Sequence, residues 1–224
     1  MIEDTIRHLV GRIEAAPIEC VPCEHFYLAD VFPDDVYRSI LAHLPPDDCY
    51  HPLKHREKTG RKGAATRILL DLNERTVARL PDVIRDHWTD LHSVLTDPRL
   101  TAAILGRFSR TIRPGIEVTP VPILYRDFGV YAIGVHPDIA DKVATMQFYL
   151  PEDESQLHLG TTFHLKEGDQ FVEVKTNRFA PNSAYGFART ESSWHSVKRL
   201  KPTEKPRNSI ALTLYKRGRE YRSD

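Results

Sequence analysis

The sequence predicts a mainly β protein: a jelly-roll core, a double-stranded β-helix, braced by helices from a helix-rich N-terminal half. Three observations carry this. From Ile112 onward, eight short segments (near 116–126, 129–136, 142–150, 160–165, 170–175, 184–189, 193–199 and 207–216) are separated by Pro, Gly, Asp and Asn punctuation. Several alternate polar and apolar residues, as half-buried strands do. Before that point, apolar residues recur at helical spacing in four stretches.

Taken in order, Ile2, Ile6, Leu9, Val10 and Ile13 make one stripe of an amphipathic helix over the first fifteen or so residues. Phe26 to Val31 reads as a strand. Pro33, followed by Asp34 and Asp35, starts a second helix with Val36, Ile40, Leu41 and Leu44 as its buried face, and Pro45-Pro46 stops it. Thr66 to Leu72 is another strand, and Leu80–Leu95 and Pro98–Phe108 are two further helices joined near Thr96-Asp97. No internal repeat or low-complexity tract interrupts the 224 residues, so the expectation is one domain over 1–224. Within it, about 1–110 would be support and substrate-side elements, and about 112–217 the core.

The charges balance at 31 basic and 31 acidic residues, which argues against the long basic stripe of a nucleic-acid binder. No stretch approaches the length of a membrane span, and Met1-Ile2-Glu3-Asp4 does not open a secretory signal, so a cytoplasmic location is expected. Three cysteines suit a reducing compartment. Cys20 and Cys23 have the spacing of a redox dithiol, but the residues that follow, His25 to Leu28, read as a strand where that motif needs a helix. Their role stays open.

The chemistry is concentrated in the second half. His136 and Asp138 lie two apart, so in an extended segment both leave the same side of the backbone. His195 follows 57 residues after Asp138, a gap in which several strands can run out and return. Two imidazoles and one carboxylate occupy one face of an octahedral Fe(II) and leave the other face open. Arg207 and Ser209 are also two apart, in a run ending at Tyr215 that reads as a strand. A guanidinium fork with a neighbouring hydroxyl is a carboxylate anchor.

The order His136-x-Asp138, distal His195, Arg207-x-Ser209 resembles the Fe(II)/2-oxoglutarate-dependent dioxygenases over about residues 125–215. Thr145 to Asp153 is similar to that family's strand after the first metal ligands, and Asn182 to Phe187 to its approach to the distal histidine. The resemblance implies Fe(II) on His136, Asp138 and His195, and 2-oxoglutarate with its far carboxylate on Arg207 and Ser209. Tyr149 would be a partner, as a tyrosine is in prolyl-hydroxylase-like members. It further implies O2 as co-reactant and hydroxylation of an unactivated C–H bond with release of succinate and CO2. Family members that halogenate carry a small residue in place of Asp138, so its presence argues for hydroxylation; desaturation and ring formation stay open.

Simpler readings exist for the same residues. His136-Pro137-Asp138 is also the loop of J-domain cochaperones, but there it joins helices, and the flanks here are β-branched and aromatic. Each histidine alone would pass for an ordinary core residue; order and spacing favour the site. His158 and His164 form no His-x-His pair and read as strand or hairpin residues. Tyr125, Arg126, Tyr131 and Trp194 flank the ligand strands and are the candidates for substrate contact. The expected substrate is a small polar metabolite, an amino acid or natural-product intermediate; a peptidyl or protein substrate comes second, and a non-catalytic jelly-roll binding protein is the reading from another class. The basic segment 51–62, with Lys54, Arg56 and Lys58, reads as a solvated loop or as a lid that attracts an anion. Oligomeric state is not legible.

Overall fold

Every second residue of Thr145-Met146-Gln147-Phe148-Tyr149 is apolar, and in the computed structural model, which describes residues 2–53 and 65–218, this alternation places two different environments on the two faces of one sheet. Helices α1 (Ile2–Ala15), α2 (Asp34–Ala42), α3 (Glu74–Val77), α4 (Asp82–Leu95) and α5 (Pro98–Arg107) come from the first half. So do three strands, β1 (His25–Ala29), β2 (His51–Pro52) and β3 (Arg67–Asp71). The second half supplies β4 (Val118–Asp127), β5 (Ile133–His136), β6 (Lys142–Tyr149), β7 (Thr161–Glu167), β8 (Gln170–Thr176), β9 (Ser183–Ala188), β10 (His195–Val197) and β11 (Arg207–Lys216).

These strands form two antiparallel sheets, ordered β1-β9-β6-β11-β4-β3-β2 and β5-β10-β7-β8. The eight core strands thus divide four and four, the jelly-roll arrangement. The helices start where local chemistry starts them. Asn73 caps α3 by accepting from the Thr76 amide, and Asp97 caps α5 by accepting from the Arg99 amide, with Pro98 in the first turn.

One face of the larger sheet presents Leu124, Met146, Phe148, Ile210, Leu212 and Leu214 to the helices, where they join Leu9, Trp88 and Leu91 in the main core. Packing there is close: a Cβ on Gly186 would fall 2.5 Å from the Phe26 ring, which is why the residue opposite Phe26 in the β1–β9 pair has no side chain. The other face looks at the smaller sheet across a second cluster that includes Tyr149, Leu159, Phe163, Phe179, Tyr185 and Phe187.

Two details depart from the sequence expectation. The segments near 129–136 and 193–199 shorten to Ile133–His136 and His195–Val197: Tyr131 spends its backbone groups on a turn to Phe128 and a bond to Leu200, and the Ser193 and Trp194 amides donate to Thr190 and Ser192 in a turn. The strands of the N-terminal half also extend the larger sheet at both edges, through β1 on β9 and β3 on β4. Among the described residues no helix is long and apolar enough to cross a membrane. Cys20 is exposed and Cys23 buried, both as free thiols, and burial pushes the Cys23 thiol up to about 12. A thiol held protonated is a poor nucleophile.

Candidate active site

Antiparallel pairing of β10 with β5 sets His195 opposite His136, so two residues far apart in the chain meet with ring centroids 4.5 Å apart. Asp138 follows β5 by two residues, and one ligand atom from each of the three lies within 4.8 Å of the others. Each imidazole is oriented by its own backbone: His136 Nδ1 is 2.9 Å from the Gly134 carbonyl oxygen and His195 Nδ1 is 2.9 Å from that of Ser193. A carbonyl only accepts, so Nδ1 carries the proton in both rings and Nε2 keeps its lone pair for a metal. Burial is the largest influence on His195 and lowers its pKa to about 4, which keeps the ring neutral as a ligand must be.

Asp138 is held from two sides. Lys142 Nζ donates to Oδ1 at 2.6 Å and the Thr145 hydroxyl to Oδ2 at 3.1 Å. Burial is the largest single influence and raises its pKa, but the Lys142 ammonium, His195 and His136 together outweigh it and bring the carboxyl down to about 2. All three ligand candidates line a cavity of about 160 Å³ between the sheets.

The same cavity is bounded elsewhere by Arg207 and Arg67. Arg207, fully buried, donates from Nε to the Leu159 carbonyl oxygen and from Nη1 to Asp127 Oδ2, both at 2.9 Å, and its guanidinium carbon is 5.3 Å from the Tyr149 ring centre. Arg67 takes both oxygens of the same Asp127, at 2.5 and 2.9 Å, while its guanidinium is 4.2 Å from the ring centres of both Tyr125 and Tyr131. Two cations thus share one carboxylate. Ser209 accepts from Gln147 Nε2 at 2.8 Å, and the Tyr185 hydroxyl donates to Gln147 Oε1 at 2.7 Å. The Tyr149 hydroxyl accepts from the Thr161 amide at 2.8 Å.

The sequence-derived residues therefore fall into two groups. His136, Asp138, His195 and Arg207 line one cavity, with Ser209 and Tyr149 packed behind its wall. Tyr125 also lines it. Three of the residues expected to contact substrate, Arg126, Trp194 and Tyr131, lie outside the lining of this cavity. Arg126 sits on the opposite face of β4 from Tyr125, bonding Asn208, Asp47 and the Pro45 carbonyl, and Trp194 packs at a tilt against Phe171, 4.8 Å between ring centres. Both placements have one cause: strand neighbours point to opposite faces. Tyr131 is fully buried against Arg67 and lines none of the cavity. Apart from His51, Pro52 and Leu53, the basic segment 51–62 lies outside the described residues.

Arg67, Asp127, Lys142, Gln147 and Tyr185 complete the site and were not singled out from sequence. The polar inward positions of β6, Thr145 and Gln147, were a readable signal for part of it.

Whether a metal and a diacid fit is testable on these atoms. The two Nε2 lone pairs and the Asp138 carboxylate are the two-imidazole, one-carboxylate donor set that suits Fe(II). Arg207 Nη2 is buried with no acceptor among the described residues, an arrangement that leaves a donor for a ligand oxygen. Both groups fit.

No protein-family model and no curated protein matches the chain. Among solved structures it is similar to a Pseudomonas putida prolyl-4-hydroxylase, with a TM-score of 0.58 at 14% identity over 93% of this chain and 99% of the other. It is similar to a 2OG-Fe(II) oxygenase family oxidoreductase from Burkholderia pseudomallei, with a TM-score of 0.54 at 14% identity over 94% and 89%. A third likeness is to the non-heme α-ketoglutarate-dependent epimerase SnoN of nogalamycin biosynthesis, with a TM-score of 0.53 at 13% identity over 94% and 82%. At such identities these likenesses establish the jelly-roll fold.

Proposed function

We propose that the chain is a non-haem Fe(II)- and 2-oxoglutarate-dependent oxygenase that hydroxylates an unactivated C–H bond of a small polar metabolite, such as an amino acid or natural-product intermediate. The observation that carries this reading is the pairing, in one cavity, of the His136, Asp138 and His195 ligand atoms with an Arg207 guanidinium that has a donor to spare. The likeness to a 2OG-Fe(II) oxygenase family oxidoreductase and to a non-heme α-ketoglutarate-dependent epimerase supports it.

When bound, iron with 2-oxoglutarate and O2 would supply the oxidising chemistry, with succinate and CO2 as by-products. The chain's own part is placement. His136, Asp138 and His195 would hold the metal by one face, and Arg207 would take the far carboxylate of the diacid through Nη2. Ser209 and Tyr149 would assist, through Gln147 and through the face of the guanidinium. The aromatic cluster of Phe163, Tyr185 and Phe187 keeps the inner wall dry, which strengthens each charge-assisted bond.

Anaerobic addition of Fe(II) and 2-oxoglutarate should give a weak visible charge-transfer band, absent in His136→Ala and weakened in Arg207→Ala. A wild-type protein without the band overturns the reading. Peptidyl hydroxylation is the second reading, favoured by the prolyl 4-hydroxylases among the similar structures. Succinate release stimulated by proline-containing peptides and by no small metabolite would select it. Substrate-independent absence of succinate release would select a non-catalytic binding protein.

A further inference from the structure

Besides the two imidazoles, five charged side chains among the described residues face or close the cavity: the cations Arg67, Lys142 and Arg207, and the carboxylates Asp127 and Asp138. One positive charge is in excess. A divalent metal on the three ligands would add two, and a dicarboxylate on Arg207 would remove two. Among the described residues, a loaded site would therefore still carry one positive charge in excess, in a region of low dielectric where its compensation counts most.

Lys142 is the place for it. Its side chain keeps 21% of its surface accessible, and its ammonium has three N–H donors of which Asp138 Oδ1, at 2.6 Å, takes one. Arg67 is different: its Nε and Nη2 are both spent on Asp127 and its plane lies between two phenol rings. A metal drawing on the Asp138 carboxylate would weaken that carboxylate's hold on Lys142 and free the ammonium for another acceptor. Tyr215 stands opposite Lys142 on β11, and farther along the same wall Ala211, Ile123 and Tyr125 supply apolar and aromatic surface among the polar Thr213, Thr145 and Gln147.

We propose that the substrate is a small monocarboxylic acid whose carboxylate is received by Lys142 and whose apolar body lies along Ile123, Tyr125 and Tyr215. The inference rests on the oxygenase reading above. It adds a consequence: because Lys142 touches a metal ligand, the carbon presented for oxidation lies close to the acid group.

The test is binding, read by calorimetry on protein loaded with Mn(II) and saturating 2-oxoglutarate, so that the Arg207 end is filled and no turnover occurs. The probes are 3-phenylpropanoate and its neutral twin 3-phenylpropanamide. The wild type should bind the acid about ten- to a hundredfold more tightly than the amide, the range of one charge-assisted hydrogen bond. Lys142→Arg should keep the preference and Lys142→Met should lose it; Lys142→Gln replaces the Met variant if that one fails to fold. An acid that binds no better than its amide, or a preference that survives Lys142→Met, overturns the proposal. So does a preference lost in Arg207→Ala and kept in Lys142→Met, which would put the acid at the cosubstrate end. Failure of the oxygenase reading would show separately, as absence of the Fe(II)–2-oxoglutarate band.

Discussion

The guanidinium of Arg207 and the carboxylate of Asp127 meet at 2.9 Å with neither side chain exposed to solvent, and the same carboxylate also grips Arg67. Removing Asp127 would leave two buried cations facing each other. Asp127→Asn should cost about 3–5 kcal/mol of stability, the range for breaking a buried pair by deleting one partner. Urea titration of the metal-free protein checks this; a loss below about 1 kcal/mol would mean that water reaches the arginines.

Arg207→Lys keeps a positive charge and removes the fork. Under the proposed function, Lys cannot reach Asp127, the Leu159 carbonyl and a ligand carboxylate together, so affinity for 2-oxoglutarate should fall about ten- to a hundredfold. Affinity for Mn(II) alone should hardly change, because the metal ligands stand apart from Arg207. Titrating the Mn(II) protein with 2-oxoglutarate separates the two. An equal loss of metal binding would show that the variant damages the whole cavity.

Thr145→Val deletes the hydroxyl that holds Asp138 Oδ2 and conserves volume on a buried sheet position. Partners behind a metal ligand are typically worth about 10- to 100-fold in metal affinity, so Mn(II) or Co(II) binding should weaken by about tenfold with the fold intact. Unchanged affinity would assign the orienting role to Lys142 alone.

How much of this was readable depends on whether the information is local. His136 and Asp138, and Arg207 and Ser209, are pairs two residues apart whose shared face follows from strand geometry alone. The jelly roll was legible for the same reason, since its eight segments carry their own punctuation. Arg67, Asp127 and Lys142 were not. Arg67 reaches Asp127 only because β3 pairs β4 in the register that sets the two residues opposite each other, and no local pattern records that register. Arg126 and Trp194 differ by one residue of parity from Tyr125 and His195, which line the cavity.

A glycine behind the site offers a steric test. A Cβ on Gly160 would lie 1.8 Å from the Asn177 carbonyl oxygen, a backbone atom that cannot swing aside. The next residue, Thr161, donates its amide to the Tyr149 hydroxyl, against which Arg207 is stacked. Gly160→Ala should therefore cost more than the about 1–3 kcal/mol of ordinary overpacking and should weaken 2-oxoglutarate binding as well. A melting temperature within a degree or two of wild type, about the shift expected from a negligible change, would count against the close approach.

Acid sensitivity should come in part from a histidine far from the metal ligands. His87 stacks on His43 with ring centres 4.8 Å apart, its Nδ1 lies 3.1 Å from the Ser39 hydroxyl, and its Nε2 is buried without a partner among the described residues. Burial first, and His43 second, lower its pKa from the usual 6.5 to about 4. The unfolded chain then takes up a proton as pH falls through 6.5, while the folded protein refuses it until about 4. Stability is consequently fully present above 6.5 and lost progressively between 6.5 and about 4. His25, His92 and His164 are also lowered by burial and act in the same sense. In the metal-free protein the urea midpoint should fall across that window, and His87→Asn should reduce the slope without removing it. A wild-type midpoint that stays level down to about 4 would show that His87 is already protonated in the folded state.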